Sequence, residues 1–156
     1  MPAPVKPIPD GYPVVIPYLV VRGAARALDF YQQAFGASER LRLEMPGGLI
    51  GHAEIQIGDS VLMLADEFPA MGFLGPEACQ GNPVSLHVYV TDVDAVVARS
   101  VRLGAKVLRP VQNQFYGDRS GMITDPFGHV WNIATHVEDV TPEEINRRAT
   151  KMHGGQ

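Results

Sequence analysis

An internal repeat constrains this chain more than any other feature of its sequence. When the sequence is shifted by 69 residues, the segment 58–65 falls on 127–134 and Val20 falls on Tyr89. The same shift brings the helical pattern after Arg22 onto the helical pattern after Thr91. Because one offset relates a strand, a helix and a hairpin, we expect two structural repeats of the same supersecondary type.

A hairpin signal lies near the end of the second repeat. Two β-compatible runs, 122–124 and 130–135, flank the tetrapeptide Asp-Pro-Phe-Gly at 125–128. Proline presets φ at the second turn position, and glycine tolerates a positive φ. The stretch therefore predicts two strands joined by a tight turn, with Trp131 facing the core and His129 solvated in the turn.

The turns also predict which residues share a face of each sheet. The Gly-Asp dipeptide at 58–59 favours a two-residue turn in the first repeat, and opposed residues of a hairpin point to the same face. Carrying the offset into the second repeat extends the prediction to its last hairpin. The predicted pairs are Ile57–Ser60, Glu54–Met63, His52–Ala65, Ile123–Asn132 and Arg119–His136.

Hydrophobic periodicity predicts the remaining elements. Apolar residues at helical spacing predict helices at 23–35 and from the Thr91–Asp94 capping box to about 103, with Val101 facing inward. Thr141 and Pro142 favour the start of a last helix. Alternating or apolar runs predict strands at 14–21, 39–44, 50–57, 61–64, 85–90 and 106–110.

These elements predict one α+β fold made of two βαβββ repeats, with curved mixed sheets around a cup. An extended arm at 1–13 precedes the domain at 14–136, and a C-terminal helix or tail occupies 137–156. The domain divides into repeat one at 14–65, a linker loop at 66–83 and repeat two at 84–136.

Charge and composition exclude several classes of partner. The net charge is −4 without a run of Lys or Arg, so no nucleic-acid partner is expected. No apolar run approaches the ~20 residues of a membrane span, and the first residues lack the charged-then-apolar order of a signal peptide. Cys79 is the only cysteine, which excludes an internal disulfide. We therefore expect a cytoplasmic protein.

Three segments carry a resemblance to a known family. They are 21–31, which contains Ala-Arg-Ala-Leu-Asp-Phe-Tyr, the Phe-Gly-Ala tripeptide at 35–37, and the Asp-Pro-Phe-Gly turn. Over about 14–136 the chain resembles the vicinal oxygen chelate superfamily of glyoxalase I, bleomycin-resistance proteins, fosfomycin-resistance enzymes and extradiol dioxygenases. The segments 52–60 and 116–119 look like its PhnB-like branch. The resemblance implies a homodimer, because repeats in this superfamily commonly pair across chains.

The resemblance also points to four positions where metal-using members hold a divalent ion. In those members the ligands are usually His or Glu, from the first and last strands of each repeat. The equivalent positions of this chain are Ile16, Met63, Ser85 and Asn132. None of these side chains is a good ligand for a divalent ion. The resemblance therefore implies no metal at the usual positions and no cofactor, and it argues against glyoxalase I, fosfomycin-modifying and extradiol dioxygenase activities in their usual form.

Strand alternation predicts which polar side chains face the cup. Glu54 and His52 are the catalytic candidates, since a carboxylate against apolar walls has a raised pKa that suits proton abstraction near neutral pH. The ligand-binding candidates are Tyr18, His87, Tyr89, Tyr116, Arg119 and Asn132. Tyr116 would close the mouth of the cup by stacking.

Two of these candidates have competing interpretations. Arg119 either clamps a substrate carboxylate or phosphate, or forms a salt bridge with Asp118, Asp125 or Glu54. His52 and Glu54 either join His87 in a relocated metal site, or form a hydrogen-bonded pair while His87 is an interior histidine.

The function inferred from the sequence is binding of a small organic molecule in the cup. The sequence leaves open whether the chain is an enzyme of lyase or isomerase type, with Glu54 and His52 in the reaction. The alternative is a protein that sequesters its ligand without catalysis, as bleomycin-binding members do. A third interpretation is a structural or regulatory dimer, whose cup would be filled by its own side chains, such as those of the 68–74 loop.

Overall fold

The computed structural model describes residues 5–153, which form two compact units, the first ending at Gly81 and the second beginning at Asn82. Each unit has the order strand, helix and three strands, so the predicted α+β fold with two βαβββ repeats is confirmed. The parts of the predicted arm at 1–4 and of the predicted tail at 154–156 lie outside the described residues.

The first unit contains one mixed sheet with the strand order β1-β4-β3-β2. Its elements are β1 (Tyr18–Val21), α1 (Ala24–Phe35), β2 (Ser38–Glu44), β3 (Ile50–Ile57) and β4 (Ser60–Asp66), then a 3₁₀ turn (Pro69–Met71) and the short helix α2 (Pro76–Cys79). Strands β1 and β4 are parallel, and the other neighbours are antiparallel. The predicted pairs Ile57–Ser60 and Glu54–Met63 are present.

The first strand is shorter than predicted. It begins at Tyr18 rather than at Val14, and Val14 and Val15 are each 81% exposed. Pro17 has no N–H to give to a ladder, although its carbonyl accepts a bond of 3.0 Å from the Met63 amide. An apolar run interrupted by proline therefore enters the sheet only after the proline.

Within the N-terminal arm predicted at 1–13, residues 9–12 depart from an extended conformation. The Tyr12 amide donates to the Pro9 carbonyl at 3.3 Å, and Gly11 has a φ of 81°. Residues 9–12 thus form a turn, which Pro-Asp-Gly favours because glycine tolerates a positive φ. The turn brings the Tyr12 side chain back onto the first unit.

The second unit has the same strand pattern, in the order β5-β8-β7-β6. Its elements are β5 (Ser85–Tyr89), α3 (Val93–Arg102), β6 (Lys106–Asn113), β7 (Asp118–Thr124), β8 (Val130–His136) and α4 (Pro142–His153). The last hairpin closes with the pair Thr124–Val130, which leaves a five-residue loop at 125–129. The predicted helix after Thr141 is confirmed, and the Thr141 hydroxyl accepts from the Glu144 amide at 3.2 Å.

The register predicted for that hairpin was wrong by one residue. Asn132 pairs with Met122, and His136 pairs with Asp118. The first repeat turns with two residues and the second with five, so the offset that aligns the strands does not align the hairpin partners. A slip of one residue moves a side chain to the other face of the sheet, and this decides where Arg119 points.

Helix α1 packs on one face of the first sheet, and α3 packs on one face of the second. Within residues 5–153, no other helix makes comparable contact with either sheet. On the α1 side, Val21, Ala53, Ile55 and Leu64 are at most 2% exposed. We call the opposite face of each sheet its open face. In the first unit it carries Tyr18, Val20, His52, Glu54, Met63 and Ala65, and in the second unit His87, Tyr89, Asp118, Met122, Asn132 and His136.

The two repeats also resemble each other in how the backbone N–H groups at the helix N-termini are hydrogen-bonded. Gly23 at the start of α1 has no side chain to cap it, and the Asp66 carboxylate accepts from the Gly23 and Ala24 amides, each at 2.9 Å. In the second unit, the Thr135 hydroxyl accepts from the Val93 amide at 2.9 Å. Asp66 and Thr135 are related by the 69-residue offset, so the last strand of each repeat supplies an acceptor for its helix.

Several predictions about single side chains can be compared with the structure. Trp131 is in the core, as predicted, with 2% exposure. His129 is only 9% exposed, so the prediction that it is solvated was wrong. Val101 is 44% exposed, so the prediction that it faces inward was wrong. The N-cap of α3 is Asp92 rather than Thr91, because the Asp92 carboxylate accepts from the Ala95 amide. In the part of the chain that the structure describes, no helix is long and apolar enough to cross a membrane.

Candidate ligand-binding site

A cavity of about 470 Å³ opens in the first unit, beside its open face. Its walls are mostly apolar and include Tyr18, Val20, Met45, Leu49, Phe68 and Phe73. A cavity of this size and lining is typical of a site for a small organic molecule. We call it the first-unit pocket.

Two loops build the outer wall of the first-unit pocket. In the β2–β3 connection, the Met45 amide donates to the Leu49 carbonyl at 2.7 Å. In the linker, Phe68 and Phe73 exchange backbone hydrogen bonds of 2.9 and 3.2 Å around Gly72, whose φ is 79°. The 68–74 loop, which one interpretation of the sequence places inside the cup, therefore forms part of the wall of a cavity in the first unit.

The acidic side chains in this wall already have partners. Asp66 accepts three backbone N–H bonds, from the two amides that start α1 and from Ile50 at 2.8 Å. Glu67 pairs with Arg22 at 2.8 Å and accepts from the Gly75 amide at 2.8 Å. The Arg22 guanidinium, with that amide, holds the pKa of the Glu67 carboxyl below its usual range. The remaining wall residue with a polar side-chain group is Tyr18, whose hydroxyl forms a hydrogen bond with His52.

Tyr18 leads from the first-unit pocket into a chain of hydrogen bonds on the open face. Its hydroxyl lies 2.8 Å from His52 Nδ1, and His52 Nε2 lies 2.9 Å from the Glu54 carboxylate. Tyr12, from the N-terminal arm, donates its hydroxyl to the other Glu54 oxygen. The hydrogen-bonded pair predicted as one interpretation of His52 and Glu54 is therefore present.

The arm is what buries Glu54. This carboxylate is only 5% exposed, although it lies on the face without a helix. Arg40 holds the arm by donating to the Gly11 carbonyl at 3.0 Å, and its guanidinium carbon lies 4.4 Å from the centre of the Tyr12 ring. Strand periodicity says nothing about an arm outside the sheet, so the sequence analysis missed Tyr12.

The pKa of Glu54 is shifted in the direction opposite to the predicted one. Hydrogen bonds from the Tyr12 hydroxyl and then from His52 lower the pKa of the Glu54 carboxyl, and they outweigh the effect of burial. The prediction assumed an apolar environment without donors. Glu54 is thus held as a carboxylate near neutral pH, where it orients His52.

Removing the Tyr12 hydroxyl is expected to raise the pKa of Glu54. Tyr12→Phe deletes the largest cause of the depression and leaves the burial. A carboxyl with a depressed folded-state pKa stabilises the fold above its unfolded-state pKa, and this stability is lost as the pH falls through the folded-state value. The variant should therefore lose stability at a higher pH than the wild type during acidification.

A ¹³C NMR titration of the Glu54 side chain, with urea midpoints across the acidic range, measures both effects. Tyr116→Phe is the matched control and should leave the Glu54 titration unchanged. An unaltered Glu54 titration in Tyr12→Phe contradicts the assignment of this hydroxyl.

On the open face of the second unit, Asn132 links two other polar side chains. Its side-chain nitrogen lies 2.7 Å from His87 Nδ1, and its side-chain oxygen accepts from Arg109 at 3.3 Å. The Tyr89 ring packs against His87 with 4.7 Å between centroids. His87 is exposed, so it is not the interior histidine of one prediction. The sequence analysis missed Arg109, because Pro110 and the irregular pairing of β6 hide which way its side chain points.

A second cluster on the same face surrounds a buried carboxylate. Asp118 is 4% exposed and accepts from the Tyr89 hydroxyl at 2.9 Å. Its other oxygen lies 2.8 Å from His136 Nδ1, and His136 Nε2 lies 2.8 Å from Asp139. Asp118, followed by Asp139, raises the pKa of His136, so this imidazole keeps its proton to a higher pH than an isolated one.

Arg119 points away from this open face. It makes two bonds of 2.8 and 3.0 Å to Asp94 of α3, because the corrected register turns it to the helix side of the sheet. The salt-bridge partners predicted from the sequence were wrong, since none of them is Asp94. Tyr116 is half-buried and packs edge-on against Phe115, with ring centroids 5.2 Å apart. Its closing role stays a prediction.

The positions that hold a metal in some members of the predicted family do not fit one in this chain. Ile16 and Met63 offer an alkyl group and a thioether, Ser85 offers a neutral hydroxyl, and both polar atoms of the Asn132 side chain are hydrogen-bonded. Among residues 5–153, no group of three or more His, Cys, Asp or Glu side chains is placed to hold a metal ion. The relocated set of His52, Glu54 and His87 stays an untested prediction.

Comparison with known proteins identifies a family and a relative that match most of the chain. The family model of the Glyoxalase/Bleomycin resistance protein/Dioxygenase superfamily matches residues 13–133. An uncharacterized protein of Mycobacterium bovis is 39% identical over 146 residues, which cover 92% of this chain and 96% of that protein.

Solved structures have a similar fold. The crystal structure of TioX from Micromonospora sp. ML1 is similar with a TM-score of 0.60 and 27% identity, over 83% of this chain and 100% of that one. A putative 3-demethylubiquinone-9 3-methyltransferase, the PhnB protein from Bacillus cereus, is similar with a TM-score of 0.64 over 79% of this chain and 99% of that one. At 18% identity, the second likeness shows the fold alone.

Proposed function

The chain belongs to the Glyoxalase/Bleomycin resistance protein/Dioxygenase superfamily, and we propose that it binds a small, largely apolar organic molecule in its first-unit pocket. The observation that carries this proposal is the cavity of about 470 Å³, whose wall is mostly apolar and includes Tyr18. Such a cavity buries most of the surface of a small ligand and orients it through a few polar groups. We also place the chain in the PhnB-like branch, on the residues at 52–60 and 116–119.

The walls indicate the chemistry of the ligand. Phe68, Phe73 and Tyr18 offer aromatic surfaces, which favour a ring or a branched alkyl group. Asp66 and Glu67 are occupied by backbone amides and Arg22, so they do not attract a cation strongly. We therefore expect one polar atom on the ligand, hydrogen-bonded to Tyr18, with the remainder apolar.

A second candidate function is proton-transfer chemistry of lyase or isomerase type at the same pocket. The observation that favours it is the chain from Tyr18 through His52 to Glu54. If His52 donates its Nε2–H to the ionised Glu54, its Nδ1 is left to accept a hydrogen bond from the Tyr18 hydroxyl. Burial and then the Glu54 charge raise the pKa of this hydroxyl, so neutral Tyr18 would act as a proton relay between the pocket and His52. The two candidate functions differ in whether the ligand is chemically changed. Recovery of an unchanged ligand after prolonged incubation with the protein would contradict proton-transfer chemistry and favour sequestration.

Filling the pocket is expected to abolish ligand binding. Val20 lies in the wall, so Val20→Trp places an indole in the space that the ligand needs. Val84→Trp is the control, because Val84 is 64% exposed and lies outside the pocket wall. A thermal-shift screen of small aromatic and alicyclic compounds should yield ligands that stabilise the wild type and the control by the same amount.

The same ligands should lose their stabilising effect on Val20→Trp, since bound ligand shifts stability by mass action. Circular dichroism confirms that the variant is folded. Ligands that stabilise Val20→Trp as much as the wild type would place binding elsewhere. Pairing of two copies and a cytoplasmic location stay predictions from the sequence.

A further inference from the structure

Arg109 is a half-buried guanidinium whose charge has no carboxylate beside it among the described residues. Its hydrogen bond goes to the neutral oxygen of Asn132 at 3.3 Å, and its Nε is buried without a partner in residues 5–153. Removing a cation from water without an anion costs free energy. An anionic group of a ligand that contacted this guanidinium would compensate its charge.

The buried carboxylate on the same face, Asp118, already has its own partners. Asp118 accepts from the Tyr89 hydroxyl and pairs with His136, which also contacts Asp139. Asp118 therefore keeps its own partners and leaves Arg109 uncompensated. The hydrogen-bond acceptor that Arg109 contacts is the neutral Asn132 oxygen, which does not balance its charge.

Asn132 determines which way the His87 imidazole presents its proton. A guanidinium only donates, so the Asn132 oxygen must face Arg109 and the Asn132 nitrogen must face His87. His87 Nδ1 then accepts from this nitrogen, and the proton of the neutral ring lies on Nε2. The Nε2–H group makes no hydrogen bond within residues 5–153, and His87 is exposed.

We propose that the open face of the second unit binds an oxyanion, the carboxylate or phosphate group of a small organic molecule, through the Arg109 guanidinium and His87 Nε2–H. Asn132 aligns the two donors because one amide holds both side chains. The Tyr89 ring, packed against His87, offers a surface for the organic part of the ligand. This site is made of second-unit residues and does not depend on the first-unit pocket.

NMR titration of ¹⁵N-labelled protein tests the site with three probes of similar shape. Benzoate and phenyl phosphate carry the two kinds of oxyanion, and benzamide is the neutral analogue of benzoate. We expect saturable shifts of the His87 ring nitrogens and the Asn132 side-chain amide with at least one oxyanion. Benzamide should cause no such shifts.

Two variants that change one charge each make the test specific. Arg109→Gln removes the charge, and Asn132→Asp supplies Arg109 with an internal carboxylate, so each should weaken binding at least about tenfold. Arg102→Gln removes the same charge from an exposed position of α3 and should bind like the wild type.

Three results would overturn the proposal. They are equal binding of benzamide, unchanged affinity in folded Arg109→Gln, and no saturation with either oxyanion. Binding of benzoate alone assigns a carboxylate ligand, and binding of phenyl phosphate alone assigns a phosphate, so each outcome either supports the site and names its ligand class or removes it.

Discussion

Replacing Asp125 by alanine is expected to destabilise the second unit by about 3–5 kcal/mol. The Asp125 carboxylate is 3% exposed and accepts from the Phe127 and His129 amides at 2.9 and 3.0 Å. It also accepts from the indole N–H of Trp131 at 2.9 Å. Alanine would leave these buried donors without this acceptor, and each unpaired buried donor costs about 1–3 kcal/mol.

Urea unfolding followed by the fluorescence of Trp131 measures this effect, because it is the only tryptophan and it contacts Asp125. The matched control is Asp59→Ala in the hairpin turn of the first unit. The Asp59 side chain is exposed, and it accepts a hydrogen bond of 3.4 Å from the neighbouring Ser60 hydroxyl. The control should change stability by no more than about 0.5 kcal/mol. A similar small change in Asp125→Ala would show that the carboxylate does not anchor the loop.

Replacing Gly117 by alanine is expected to cost about 3 kcal/mol or more. Gly117 has a φ of 104°, a region that other residues rarely adopt, and it is buried. An added Cβ would lie 2.2 Å from the Glu138 carbonyl oxygen. The Gly117 carbonyl also accepts from the Val137 and Glu138 amides, so the backbone cannot move away without losing bonds of 2.9 and 3.0 Å.

Gly47→Ala is the control that measures the cost of a positive φ without a steric clash. Gly47 has a φ of 86°, but an added Cβ would meet nothing within 4 Å. This control should lose only about 1 kcal/mol, the usual cost of a residue forced into the left-handed region. Thermal unfolding of the two variants beside the wild type gives the comparison. Equal losses in both would mean that the 137–138 segment yields to the new methyl group.

The site could be predicted only where strand geometry governs it. Alternation along β3 and the two-residue turn at 58–59 placed Glu54 opposite Met63, and both the turn and the pair are present. The same reasoning gave the wrong direction for the pKa of Glu54, because the donor that lowers it comes from Tyr12 in the arm. A side chain that reaches a sheet from outside leaves no periodic signal.

In the second unit, the length of the 125–129 loop decides which face of the sheet Arg119 occupies. The turn of five residues shifts the partners of β8 by one, so Arg119 pairs with Asp94 on the helix side of the sheet. Arg109, which the alternation of β6 does not reveal, lies beside Asn132 instead. Because side chains alternate with a period of two, an error of one residue exchanges the two faces and with them the candidate site.

The sequence by itself determined the order of the strands and the main helix in each repeat. The Asp-Pro-Phe-Gly turn and the helical spacing of apolar residues are local patterns that follow backbone preferences, and the 69-residue offset shows that the same pattern occurs twice. Only the tertiary structure decided that Asp66 caps α1, that Tyr12 covers Glu54 and that Arg109 meets Asn132. Each of these contacts joins residues that lie far apart in the chain, and their geometry depends on loop lengths and packing that no local pattern records.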